Sequence, residues 1–269
     1  MLTIKFQEVL KMRHNMKLKP EPFYAMKSGY KTVELRLLDE KRRAVKVGDE
    51  IEFTRTDCQE ERICKRVKAL HVYPDFPALF RKISLLSCGF TPFTFRTVKE
   101  NFMDSYYSPQ EQEKLGVVGI ELEAEPLQRF VSGSDGLIPD CAGFEQALKE
   151  VRQGRKSSHW IWYIFPQLKG LTGDRVTEYY GLRGAGEAEQ FYSHPILGER
   201  LRKITSAILE IPCDDPVVVF GETDAYKLRN CMTLFSALHP EEECFAAALE
   251  KFCMGDPDPD TLRILRRSL

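Results

Sequence analysis

The stretch Gly29-Tyr30-Lys31-Thr32-Val33-Glu34-Leu35-Arg36 decides how the first half of the chain folds, because it joins the end of a helix to the start of a strand. Upstream, Pro20 opens a helical segment over residues 21–28, and Gly29 stands where a helix commonly stops. Over residues 32–37 apolar and polar side chains alternate, which predicts a strand with one face in a core and the other, carrying Thr32, Glu34 and Arg36, in solvent. Working outward, residues 16–18 read as a strand, and Val47-Gly48-Asp49 as a turn into a strand at 50–55. Residues 62–73 read as its long partner and residues 117–122 as a closing β-branched strand, while Ser108-Pro109 opens a helix.

Beyond Pro126 the alternation largely disappears, so the boundary between two units is expected there, with domains at 1–126 and 127–269. A short helical lead at 127–131 and a flexible loop, Ser132-Gly133-Ser134-Asp135-Gly136, precede a series of amphipathic helices. These are expected at 141–153, 157–164, 188–192, 195–210, 224–238, 241–253 and 260–267, with Asp140, Ser157 and Thr223 as N-caps and Gly154 and Gly255 as stops. Residues 216–220 read as a lone strand or a buried connector. The fold class is α+β: a small sheet-based unit, then a mainly α-helical one.

A chain of 269 residues exceeds the usual single-core size, which fits two units. No apolar run is long enough to span a membrane, and the opening MLTIKFQEVLKMRHNMK breaks every short apolar run with a charge, leaving no signal-peptide core. A cytoplasmic protein with no membrane partner is expected. The eight cysteines are scattered without a CxxC pair, so reduced thiols are expected, with no structural zinc and no cofactor. Residues 1–125 carry 22 Lys and Arg against 19 Asp and Glu, and residues 126–269 carry 17 against 21. That asymmetry allows a local basic face on the first half and argues against broad electrostatic binding by the second.

Lys31, Glu34 and Arg36 fall within six residues at the helix-to-strand junction. Two readings stay open: a salt-bridge set on an edge strand, or a cluster in which the cations meet phosphate oxygens and Glu34 accepts from a nucleobase. Together with Met16-Lys17-Leu18, residues 47–53 and Gly116-Val117-Val118-Gly119-Ile120-Glu121, this stretch resembles the ASCH domain family over roughly residues 14–125. The resemblance implies a PUA-like small β-barrel with flanking helices, a cleft around the GxKxxExR motif, and binding of RNA or a nucleotide through Lys31, Thr32, Glu34 and Arg36. Some small ASCH proteins are amidohydrolases acting on acetylated cytidine through a Lys and a Thr two residues on. Lys31 matches the lysine, but Val33 and Glu34 follow where that hydroxyl would stand, and the third partner, a distant Glu, would fall to Glu111 or Glu113.

The second cluster runs Gly154-Arg155-Lys156-Ser157-Ser158-His159-Trp160-Ile161-Trp162-Tyr163-Ile164-Phe165-Pro166-Gln167-Leu168 and holds both tryptophans of the chain. As a helix it would be apolar nearly all round, which reads as a buried core element. The other reading lines a pocket with Trp160, Trp162, Gln167 and His159 and lets Arg155 and Lys156 meet a phosphate at the helix start. With HPILGERL and FGETDAYKLRNCMTLF, this half resembles a bacterial family known only as domain of unknown function 1810, from about Leu127 to Leu265. That resemblance implies an all-helical fold and no particular reaction.

The sequence therefore favours a binding protein whose partner is RNA or a nucleotide. The alternatives are a hydrolase of a modified nucleoside or nucleotide-derived molecule, with Lys31 and Glu34 or else His159 as the acid/base groups, and a protein-interaction role for the acidic helical half.

Overall fold

The computed structural model of the chain describes residues 12–99 and 101–268. Residues 1–11, most of the stretch read for a leader, lie outside the described residues. The chain divides into two compact units, one holding residues up to Phe90 with Thr94–Glu125, the other Thr91–Phe93 with Pro126–Leu269.

The first unit is built on β1 (Arg13–Leu18), β2 (Val33–Leu37), β3 (Glu50–Arg55), β4 (Cys58–Tyr73) and β5 (Val117–Leu122). They form one sheet in the order β1-β3-β4-β5-β2, with β1 parallel to β3 and every other pair antiparallel. β4 spans 16 residues and serves two partners: its first part pairs with β3 and, after an irregularity at Val67 and Ala69, its second part pairs with β5. β5 is buried on both faces. Val118, Ile120 and Leu122 join a core with Met16, Phe23 and Phe53, whereas Val117 joins Val33, Leu35 and Leu79 in a second core. That two-sided burial explains why β5 reads as an unbroken apolar run.

The sheet does not close. Its edges, β1 and β2, share no backbone ladder among the described residues, and what joins them is the side chain of Arg36 on β2, which donates to the Lys17 carbonyl on β1 at 2.7 Å. The expected alternation of β2 is present, but its polar face is not solvent. Glu34 is buried, because on that face it is held between Lys31, just ahead of β2, and Arg36, on β2 itself, which in turn reaches across to β1.

The second unit is helical, and helix Glu222–Leu238 runs through its centre, burying residues from Ala225 to Phe235 that include Lys227 and Asn230. The expected helices near 188–192, 195–210, 241–253 and 260–267 form with ends moved by no more than a turn. Gly154 and Gly255 take positive φ, as helix stops do.

Several expectations are corrected. Residues 132–134 are not a flexible loop but the last turn of helix Gln128–Ser134. Gly133 lets that turn press on Tyr163, whose Cγ would lie 2.5 Å from a Cβ there. Residues 216–220 form the helix Pro216–Phe220 and not a strand, since Asp215 accepts from the N–H groups of Val217 and Val218 and Pro216 fits the first turn. Capping there outweighs the β preference of three valines. The helix beginning near 141 starts instead at Phe144, with Gly143 and not Asp140 as N-cap, and Gly221 replaces Thr223 as the cap of Glu222–Leu238. The helix expected over 157–164 shrinks to Ile161–Ile164, so Ser157 caps nothing. Helix Arg175–Tyr180, capped by Asp174, carries no strong periodic signal and has no counterpart among the expected elements. No helix among the described residues is long and apolar enough to cross a membrane.

Candidate functional site

Each unit brings one set of the expected residues together. In the first, Lys31 Nζ lies 2.9 Å from the Val33 carbonyl, 2.9 Å from the Cys88 carbonyl and 3.2 Å from Glu34 Oε2. An ammonium has three protons to donate, and all three are engaged. Lys31 therefore has no direction left in which to take up a proton from a substrate, which counts against its use as a base. Glu34 Oε1 in turn meets Arg36 Nη2 at 2.9 Å.

Arg36 is the outer end of this chain. Besides Glu34 and the Lys17 carbonyl it reaches Tyr107 Oη at 3.4 Å, and its Nε is buried without a partner. Burial works against its charge, but Glu34 and Tyr107 outweigh that and raise its pKa further. Lys17, whose carbonyl Arg36 reaches, and Lys19 are exposed, and Lys19 Nζ lies 5.1 Å from the ring centroid of Tyr106, which is 60% exposed. Thr32 is half-buried and contributes its backbone: the Ser87 carbonyl accepts from the N–H groups of both Thr32 and Val33.

The loop that carries Ser87 also carries Cys88 and Gly89 over the lysine. Gly89 has φ of +99°, and a Cβ there would sit 3.2 Å from Lys31 Cδ, so the turn and the close approach both call for glycine. Burial pushes the Cys88 thiol up to about 11 despite the nearby Lys31 charge. Glu111 is occupied in a capping box with Ser108. Glu113 lines a separate cavity of about 420 Å³ with Asp75 and Asp104 and, among the described residues, no Lys or Arg. Three carboxylates make that cavity hostile to a phosphate.

In the second unit the residues 154–160 wrap around one carboxylate. Glu150 accepts from Ser157 N at 2.9 Å, Ser158 N at 3.0 Å, Ser158 Oγ at 2.6 Å, Trp160 Nε1 at 2.8 Å and Gln146 Nε2 at 3.0 Å. Its burial would raise its pKa, but the hydrogen bonds from Ser158, Ser157, Trp160 and Gln146 hold it well below the usual carboxylate range. Trp160 is fully buried and tied to Glu150, so it serves the scaffold. Arg155 and His159 are exposed, the His159 ring lying nearly parallel to that of Trp162 with centroids 6.3 Å apart.

Lys156 does not sit at a helix start. Its Nζ donates to the Ser158 carbonyl at 2.7 Å and pairs with Asp224 at 2.8 Å, and Asp224 also holds Lys227 at 2.7 Å. Lys227 Nζ lies 5.6 Å from the Trp162 ring centroid. One turn along the same helix, Asn230 Nδ2 donates to Gln167 Oε1 at 3.2 Å. Lys156, Trp162 and Gln167 are thus brought together with Asp224, Lys227 and Asn230; Trp160 borders them, with Lys156 Nζ 5.2 Å from its ring centroid, and His159 stacks on Trp162 from the exposed side.

Reading the sequence missed Glu150 and Asn230. The signal was there for Glu150: a carboxylate on the apolar face of helix Phe144–Arg152, among the buried Ala147, Leu148 and Val151. Asn230 is a buried polar residue of helix Glu222–Leu238, three residues after Lys227.

The ASCH domain matches residues 16–126, and Protein of unknown function (DUF1810) matches residues 124–265. Among solved structures, the conserved hypothetical protein Rv1873 from Mycobacterium tuberculosis is 32% identical over 52% of this chain and 96% of its own, with a TM-score of 0.48. The hypothetical protein PH0355 is 30% identical over 42% of this chain and 99% of its own, with a TM-score of 0.35. Protein PF0455 from Pyrococcus furiosus is 30% identical over 42% of this chain and 98% of its own, with a TM-score of 0.33. No curated protein matches the chain. The ASCH domain is PUA-like and is associated, as a family, with binding RNA. With just over half of its residues matched by that second model, the chain belongs to the DUF1810 family and carries an ASCH domain ahead of it.

Proposed function

We propose that the first unit binds single-stranded RNA across the face made by Arg36, Lys17, Lys19 and Tyr106. The observation that carries this reading is the arrangement of Arg36: a permanently charged guanidinium held by Glu34, which Lys31 fixes in turn, and tied to the carbonyl of Lys17, two residues before the Lys19 that lies over the exposed ring of Tyr106. Cations that track phosphates beside a ring on which a base stacks are the two parts such binding needs. Lys31 and Glu34 act here by positioning Arg36, and they meet no ligand themselves. The second reading, hydrolysis by Lys31 and Glu34, is disfavoured because the three protons of Lys31 are already spent.

The test uses Lys19→Ala and Tyr106→Ala, since both residues are exposed and neither supports the core. With an end-labelled single-stranded RNA, Tyr106→Ala is expected to lose about 1–3 kcal/mol of binding, the worth of one stacked base. Lys19→Ala is expected to weaken binding across sequences and to lower the slope of log affinity against log salt by about one. A double variant that binds as tightly as the parent protein with the same salt slope would sink the proposal.

A further inference from the structure

Within the second unit, Lys227 is buried, 7% exposed, and yet among the described residues its ammonium has a single hydrogen-bond acceptor, Asp224, which it shares with Lys156. Two of its three protons are unspent in a setting where water is scarce. Close by, Trp162 Nε1, Gln167 Nε2 and Asn230 Oδ1 are buried and unpaired. Buried polar atoms are rarely left unpaired, so three of them in one neighbourhood call for an explanation. They are not scattered. Gln167 and Asn230 bond to one another at 3.2 Å, Asn230 lies one turn from Lys227, and Trp162 lies against Lys227.

The unspent groups define the chemistry of what would satisfy them. Lys227, Trp162 Nε1 and Gln167 Nε2 all donate, so the partner must be rich in acceptors. Asn230 Oδ1 accepts, so beside an acceptor the partner must also present a donor, as the amide-like edge of a nucleobase does. Exchanging O and N on both amides preserves their mutual bond and still leaves one donor and one acceptor unspent. Two ammonium groups share the carboxylate of Asp224, and the neighbouring carboxylate of Glu150 is turned to five neutral donors. A cation is therefore unwelcome and a phosphate suits the lysines.

We infer that Lys227, Trp162, Gln167 and Asn230, with Lys156 and Asp224 beside them, form a binding site for a nucleoside monophosphate, the phosphate on the lysine side and the base edge on the two amides. This site lies wholly in the DUF1810 half and does not rest on the RNA reading of the ASCH half.

Both tryptophans of the chain belong to this neighbourhood, so intrinsic fluorescence reports on it directly. The full chain would be titrated with each of the common ribonucleoside 5′-monophosphates, with the uncharged nucleosides and with inorganic phosphate, followed by fluorescence and calorimetry. Saturable binding of at least one nucleotide is expected, with nucleoside and inorganic phosphate each about tenfold weaker or more. Lys227→Met and Asn230→Leu should each weaken it about tenfold or more, the worth of a hydrogen bond to a charged or buried group. Trp162→Phe keeps an aromatic face, loses the N–H with the five-membered ring that carries it, and should weaken calorimetric binding several-fold even if the other two variants fold poorly. The inference is overturned if no nucleotide binds up to about millimolar concentration, or if inorganic phosphate alone binds as tightly as the nucleotide. It is equally overturned if nucleotide binding survives Lys227→Met and Trp162→Phe but is lost in Tyr106→Ala, which would place the ligand on the first unit.

Discussion

Lys31 in the first unit and Lys227 in the second are buried to nearly the same degree, 5% and 7% exposed, and both sit beside a carboxylate. They differ in what remains to be satisfied. Lys31 has three acceptors, two of them backbone carbonyls from different parts of the chain, whereas Lys227 has one and shares it. Burial alone therefore does not separate a structural charge from a binding one. A charge whose hydrogen-bonding capacity is consumed by its own fold is an anchor, and one whose capacity is largely unspent is available to a ligand.

The comparison breaks first at the two lysines. Lys31→Met strips the donor from the Val33 and Cys88 carbonyls and leaves Glu34 buried with Arg36 alone. The expected loss is about 3–5 kcal/mol, the usual cost of removing one member of a buried charged network. Amide exchange over residues 31–37 should accelerate accordingly. Lys227→Met leaves Asp224 its pairing with Lys156 and keeps apolar contact with Trp162, so its cost to stability should stay below about 1 kcal/mol. Equal costs for the two substitutions would abolish the distinction.

Glu150 tests the same rule from the acidic side. It lies in the unit that holds Lys227, yet five donors saturate it, so it should behave as Lys31 does. Glu150→Gln is expected to cost about 2–3 kcal/mol at neutral pH, as charge-assisted bonds become neutral ones. The sign of the pH effect follows from its lowered folded pKa. The stabilisation is fully present above the unfolded value of about 4.3 and is lost as pH falls from there toward the folded value. Stability measured between about pH 6 and pH 3 by tryptophan fluorescence should therefore fall less steeply in the variant than in the parent chain.

How much of this was legible in the sequence divides along physical lines. The strands 50–55 and 117–122 and the helix stops at Gly154 and Gly255 were legible, because period, turn chemistry and positive φ are local properties. The motif around Lys31 was legible as a cluster, but the burial of Glu34 was not. Alternation assigns residues to two faces and cannot say that the polar face closes against another strand. The stretch 157–160 misled for the opposite reason: it reads as the start of the aromatic helix that follows, while a carboxylate from the preceding helix, Glu150, holds it in an irregular wrap. Lys227 and Asn230 become neighbours of Trp162 and Gln167 only through tertiary packing, which no local pattern encodes.

The smallest expected effect is also the one that probes how rigid the first anchor is. Gly89→Ala forces a Cβ onto a residue at φ +99°, which costs about 1–2 kcal/mol, and brings it within 3.2 Å of Lys31 Cδ. A long lysine stem would ordinarily swing aside. Here its Nζ is held at three points, one of them the carbonyl of Cys88, the residue preceding Gly89, so swinging aside weakens the bonds that make it an anchor. In a Lys31→Met background the stem is no longer pinned, and the steric part of the cost should vanish while the backbone part remains. A double-mutant cycle should then show Gly89→Ala costing less in the Lys31→Met chain than in the parent, by about 0.5 kcal/mol or more. A coupling of zero would mean that the stem moves freely, and that Lys31 is less firmly anchored than its three bonds imply.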